Sequence, residues 1–181
     1  MSIKTLAGYL TILIVSLLLY SMKPAHDVFY SSLPVLMLIY PIAVGYRVKL
    51  RFSLKDLLFG LVISLALVIP YFLIFGSNVR AITVYSLIFQ LLSVALPEEY
   101  FFRGFLQDSV GKNIKAVLFV SLLFSLAHLP RAVFLGEWIS LLSFFPSVVM
   151  GWLYMKTNNI LPGTIFHLLA NLVYQASMFN K

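Results

Sequence analysis

The chain has no cysteine and very few charged residues. Only 10% of its 181 residues are charged, and only six of them are acidic. The absence of cysteine excludes disulfides, thiolate metal ligands and a cysteine nucleophile. A soluble domain carries about 25% charged residues, whereas this chain is 61% hydrophobic. The composition therefore predicts an integral membrane protein.

Long apolar runs, separated by charges and helix breakers, predict an all-α bundle of about six to seven transmembrane helices. The runs cover residues 6–22, 28–46, 54–75, 81–109, 114–129, 138–156 and 160–178. The length suits one domain of this kind, so we expect a single integral-membrane domain over residues 1–181. The first run follows Lys4 as in a signal peptide, but no A-x-A-like cleavage site comes after it. We expect it to remain as a helix.

The basic residues lie mostly in the predicted loops. This placement explains the net charge of +7 by membrane orientation, and we expect no nucleic-acid partner. With the N-terminus inside, the cytoplasmic side receives Lys4, Arg47, Lys49, Arg51, Lys55, Lys112, Lys115 and Lys156. The opposite side receives Lys23, Arg80, Arg131 and Lys181. The excess on the first side predicts a cytoplasmic N-terminus.

Two adjacent glutamates, Glu98 and Glu99, interrupt the apolar run 81–109. A carboxylate at bilayer depth is costly unless it is paired or faces a wet cavity. Glu99 and Arg103 share a helix face at a spacing of four residues, which predicts an ion pair. This pair could serve only to stabilise the helix. Glu98 points about 100° away and has no basic residue one turn later, so it is a candidate general base.

Two of the three histidines also lie in apolar runs. His128 ends one run, and His167 lies in the last run, one turn before Asn171. A buried histidine is often only a hydrogen-bonded structural residue. However, the helical rise from a shared membrane face puts both histidines and Asn171 at the depth of Glu98. This layer of polar groups in a membrane favours a functional site.

These residues lie in motifs that resemble those of the CPBP family. This family contains the CAAX prenyl proteases and bacteriocin-processing enzymes and is also called Abi. EEYFFRG (98–104) matches its EExxxR motif, FSLAH (124–128) its FxxxH motif and HLLAN (167–171) its HxxxN motif. FFPSVVMGWLY fits the variable motif between them. The resemblance defines a motif-bearing core at residues 93–171.

The resemblance implies an intramembrane glutamic-type endopeptidase. By position, Glu98 and His128 would activate a water molecule, and His167 and Asn171 would donate hydrogen bonds to the oxyanion. Glu99 and Arg103 would order the site or meet the substrate. The implied substrate is the C-terminal or leader segment of a membrane-associated protein, cleaved near the lipid bilayer. The implied location is a prokaryotic cell (inner) membrane.

Two other functions remain open at this point. The chain could be a non-proteolytic membrane scaffold or immunity protein of the same fold. It could also be a small transporter, because buried glutamate and histidine suit a proton relay. Zinc held by glutamate and histidine is the alternative to a metal-free protease site. The sequence has no HExxH motif, and adjacent helical carboxylates diverge, so we expect no cofactor.

Overall fold

The computed structural model describes residues 1–22, 31–48, 50–76 and 83–177. The helices are α1 (Ile3–Met22), α2 (Ser32–Ala43), α3 (Leu54–Phe75), α4 (84–110), α5 (Ile114–Ala127), α6 (Leu129–Leu135), α7 (Phe144–Thr157) and α8 (Leu161–Gln175). A short 3-10 helix, Trp138–Ser143, precedes α7. Across the described ranges no strand forms, and one isolated bridge joins Gly76 to Ser177. The predicted all-α fold is confirmed.

Within the described ranges, four helical segments are long and apolar enough to cross a membrane. They are Ile3–Met22, Leu54–Phe75, Ile114–Leu135 and Trp138–Thr157. The protein is therefore an integral membrane protein. Three further predicted runs match α2 with 12 residues, α4 with its charged residues, and α8 with 15 residues. The total of six to seven crossings stays a prediction.

Parts of several sequence predictions lie outside the described residues. These parts are the run ends 28–30, 81–82 and 178, and the loop charges Lys23, Lys49, Arg80 and Lys181. The predicted orientation therefore stays a prediction.

The fifth predicted run, 114–129, differs from the structure at its end. Helix α5 stops at Ala127, and α6 begins almost at once, with Pro130 in its first turn. Proline is accepted there because its missing N–H would have no partner inside the helix. Pro130 therefore lies at the start of a helix, and α6 ends at Leu135, just before Gly136, which has a left-handed backbone with φ of 75°.

Helix α4 forms the centre of the bundle. Its residues 101–107 are all buried, and they pack against α5 and α7. Helix α8 packs along α3, α7 and the first half of α4. At Gly60 in α3, an added Cβ would come within 2.6 Å of the Cα of Pro162 in α8. This close packing places the motif-bearing segments of α4, α5, α7 and α8 together in the interior.

Two stretches of α4 are π-helical, namely Gln90–Ala95 and Tyr100–Gln107. Between them lies one α-helical turn, Leu96–Glu99, which carries both glutamates. π-helical segments are rare and occur frequently at functional sites. The sequence prediction assumed regular α-helix here, and this part of it was wrong. The change in hydrogen-bonding register on both sides of the glutamates singles out this turn.

Candidate active site

Glu99 and Arg103 form the buried ion pair expected from their spacing. The Nε atom of Arg103 lies 3.4 Å from Oε2 of Glu99, and both side chains are fully buried. The same guanidinium donates through Nη2 to the Oγ of Ser147 in α7, at 3.0 Å. Its Cζ atom lies 5.2 Å from the centre of the Phe124 ring in α5. Arg103 thereby links three helices around Glu99.

His167 lies between the two glutamates. Its Nε2 atom is 3.7 Å from Oε2 of Glu98, and its Nδ1 atom is 3.4 Å from Oε1 of Glu99. These distances exceed those of good hydrogen bonds, so the contacts are electrostatic ones. Glu99 and His167 are nearly inaccessible, whereas 18% of the Glu98 side chain is exposed. Oε2 of Glu98 is buried beside His167, so the exposure of Glu98 leaves its other oxygen, Oε1, as the carboxylate atom that a water molecule can reach.

His128 is half-buried at the junction of α5 and α6. Its Nδ1 atom lies 2.9 Å from the backbone oxygen of Phe124. A carbonyl oxygen only accepts, so Nδ1 carries the hydrogen of this bond, which leaves Nε2 as the ring nitrogen that can accept a hydrogen bond in a neutral imidazole. The Phe124 ring packs between His128 and His167, with centroid distances of 4.9 and 5.9 Å. Phe124 therefore contacts both histidines.

The resting arrangement differs from the pairing that the sequence suggested. Glu98 contacts His167, and in the described part of the chain it makes no hydrogen bond or ion pair with His128. Asn171 lies one turn after His167 in α8, but its Nδ2 atom donates to Oε1 of Gln90, at 3.0 Å. The six predicted site residues thus belong to α4, α8 and the α5–α6 junction.

Several residues that contribute to this site were missed by the sequence reasoning. They are Gln90, Phe124 as a packing residue, Ser147 and Gly163. An added Cβ on Gly163 would come within 2.6 Å of Oε2 of Glu99. Any residue larger than glycine would therefore clash with that carboxylate. A polar residue at bilayer depth is a signal, and that signal could have identified Gln90. Contacts made by Ser147 and Gly163 depend on helix packing and leave no local pattern.

Two features of the site bear on the zinc alternative. Within the described ranges, no three His, Asp or Glu side chains lie close enough together to hold a metal ion. Catalytic zinc takes three protein ligands. Glu99 is engaged by Arg103, and the positive charge of the guanidinium opposes a nearby cation.

Comparison with known families identifies the chain. Residues 80–173 match the type II CAAX prenyl endopeptidase Rce1-like family. The chain belongs to this family. The match covers just over half of the 181 residues, includes all six predicted site residues, and confirms the resemblance found in the motifs. No curated protein and no solved structure matches the chain. Membership in the Rce1-like family supports a protease in a membrane.

Proposed function

We propose that this Rce1-like protein is an intramembrane endopeptidase in which Glu98 and His128 activate water without a metal ion. One observation carries the proposal: Glu98 is a partly exposed carboxylate beside a fully buried ion pair and His167. The substrate would be the C-terminal or leader segment of a membrane-associated protein, cleaved near the bilayer. We further propose a prokaryotic cell membrane with the N-terminus inside.

In the proposed reaction, Glu98 takes a proton from a water molecule. His128 orients that water by accepting its second hydrogen at Nε2. The resulting hydroxide attacks the peptide carbonyl, and the carbonyl oxygen becomes an oxyanion. When this intermediate collapses, the carbon–nitrogen bond breaks, and Glu98 returns its proton to the leaving amine.

Hydrogen bonds to the oxyanion would lower the barrier, because donors aimed at developing charge act strongly in a water-poor site. His167 and Asn171 in α8 are the proposed donors. Glu99 and Arg103 would hold the His167 ring in place. Because Glu98 contacts His167 in the resting arrangement, its side chain would turn toward His128 and the water when substrate enters.

The test is cleavage by purified protein in lipid vesicles. The peptides carry a C-terminal CAAX sequence, with or without a prenyl group, or a leader segment. We expect wild-type protein to cleave one class, and Glu98→Ala and His128→Ala to abolish cleavage while still inserting. Asp108→Asn, an acidic residue of α4 away from the site, is the control. Activity in Glu98→Ala would refute the assignment of the base.

Metal removal tests the other half of the proposal. Dialysis against a chelator should leave the rate of cleavage unchanged, and the purified protein should bind no stoichiometric zinc. Loss of activity that zinc alone restores would establish the metalloprotease alternative. Wild-type protein that cleaves none of the peptides would instead favour a scaffold or immunity role.

A further inference from the structure

The side chain of Asn171 is held by an amide that no motif includes. Its Nδ2 atom donates to Oε1 of Gln90 at 3.0 Å, across the interface between α8 and α4. Among the described residues, the Asn171 side chain makes this one hydrogen bond. Both side chains are half-buried.

Gln90 is an unusual residue for its place in α4. Its neighbours Ile88, Phe89 and Leu92 are exposed apolar side chains, as expected of a surface that faces lipid. An amide on that surface would lack hydrogen-bond partners, at a substantial cost. Gln90 opens the π-helical stretch Gln90–Ala95, and α8 packs against this stretch. The helix thus changes its hydrogen-bonding register at the residue whose amide meets Asn171.

The bond has a chemical consequence for the proposed oxyanion donor. A carboxamide carries an NH₂ donor on one side and an oxygen acceptor on the other. Rotation by 180° about its last bond would exchange the two. Gln90 presents an acceptor, so it fixes the NH₂ group of Asn171 on the side of α4. One hydrogen of that group is used by Gln90, and the other stays available for a substrate oxygen.

We infer that Gln90 is a positioning residue, which orients Asn171 so that an N–H faces the substrate oxyanion. This inference rests on the proposed function, because it assigns a task within the same site. Without Gln90, the amide of Asn171 rotates and presents its oxygen for part of the time. An oxygen next to the oxyanion repels it and raises the barrier.

A purely structural role makes a different prediction. Glutamine and asparagine commonly join helices within membranes, and loss of such a bond lowers stability alone. Gln107 offers a matched control. It is a buried glutamine on the same helix, and its Nε2 atom donates to the backbone oxygen of Gly151 at 2.8 Å. Among the described residues, its side chain makes no hydrogen bond or ion pair with the six site residues.

The experiment measures kcat and KM separately for Gln90→Met, Asn171→Ala, the double variant and Gln107→Met. We expect Gln90→Met to lower kcat by about 10- to 100-fold. This loss should not exceed that of Asn171→Ala, which removes the proposed oxyanion donor itself. KM should change little. In the Asn171→Ala background, Gln90→Met should have no further effect on kcat. Gln107→Met should lower thermal stability while the folded protein keeps its kcat.

A second variant covers the case in which Gln90→Met fails to fold. Gln90→Glu keeps the shape and an acceptor for Asn171, so it should retain more activity than Gln90→Ala. Multiplicative effects of Gln90→Met and Asn171→Ala, or wild-type kcat in Gln90→Met, would overturn the inference alone. Wild-type protein without cleavage activity would overturn the proposed function, and the inference with it.

Discussion

Helix α4 carries two polar clusters that differ in how fully their hydrogen bonds are made. The inner cluster is Glu98, Glu99, Arg103 and His167, and the outer cluster is Tyr46, Asp108, Lys112 and Tyr154. In the outer cluster, Asp108 accepts hydrogen bonds from Tyr46 and, at 2.9 Å, from Tyr154. Lys112 pairs with it at 2.9 Å. Both of its oxygens therefore have partners.

The inner cluster is deeper and less satisfied. Six of its polar atoms are buried without a hydrogen bond among the described residues: Oε2 of Glu98, both carboxylate oxygens of Glu99, Nε and Nη1 of Arg103, and Nδ1 of His167. Buried polar atoms are nearly always hydrogen-bonded, and an incomplete network costs stability. Such costs are typical of functional sites. The comparison indicates that the outer cluster stabilises the fold, whereas the inner one has the incomplete hydrogen bonding expected of the proposed active site.

The largest expected effect is on the inner ion pair. Glu99→Ala should lower the free energy of unfolding by about 3–5 kcal/mol, because it leaves the charge of Arg103 buried and unpaired. Unfolding in mixed detergent micelles measures this change. The double variant Glu99→Leu/Arg103→Met should recover most of the stability, since hydrophobic replacements of a buried pair are often neutral.

That double variant also separates stability from function. It should cleave no peptide, because His167 loses the carboxylate that holds its Nδ1 side. A stable double variant with wild-type activity would mean that the inner pair is only structural, and the contrast between the two clusters would disappear.

The next effect concerns the room left for Glu99. Gly163→Ala places a Cβ within 2.6 Å of Oε2 of Glu99, so the carboxylate must move. Displacement by about 1 Å can cost a rate on the order of 10²-fold, and we expect a fall in kcat of that size. Gly60→Ala is the control, because its added Cβ clashes with Pro162 in the same turn of α8 and does not meet Glu99 directly.

Gly60→Ala should reduce stability, and it should lower kcat of the folded protein much less than Gly163→Ala does. Equal losses of kcat in the two glycine variants would show that any disturbance of α8 disables the enzyme. The exact position of the Glu99 carboxylate would then not be what determines kcat.

The sequence predicted what depends on local pattern. Charges and prolines limit the apolar runs, so α3 was predicted at its observed bounds of 54–75. The Glu99–Arg103 pair follows from a spacing of four residues within one helix. The glutamates and histidines were chosen because acids and histidines are rare in apolar runs, and Arg103 and Asn171 because each lies four residues after one of them. The family match includes all six.

The remainder depends on how helices pack against one another. The contact of His167 with both glutamates requires the rotation of α8 about its axis, which no spacing within HLLAN specifies. The π-helical stretches shift main-chain hydrogen bonds by one residue and have no composition of their own. The sequence did not predict the cluster around Asp108, because its partner Tyr46 lies 62 residues away in the chain.

A smaller effect is expected in the outer cluster. Asp108→Asn keeps an acceptor but loses the charge, and we expect a loss of about 1–2 kcal/mol in the free energy of unfolding. The rate of peptide cleavage should stay within about twofold of wild type, since a satisfied cluster outside the site affects folding alone. A loss of cleavage in fully folded Asp108→Asn would contradict the division between the clusters.

The smallest effect should come from Lys112, the most exposed member of the outer cluster. Its side chain is 37% exposed and pairs with Asp108 one turn earlier in the chain. Exposed pairs of this kind contribute about 0–1 kcal/mol, so Lys112→Met should lower the free energy of unfolding by no more than that. Lys115→Met is the matched control, because Lys115 forms no ion pair within the described ranges and its replacement removes the same charge nearby. A difference between the two variants that shrinks as salt is added would measure the contribution of the Lys112–Asp108 pair itself.

A loss of stability for Lys112→Met as large as that for Glu99→Ala would show that the outer cluster depends on its charge balance as strongly as the inner one. The degree of hydrogen bonding would then no longer distinguish the two.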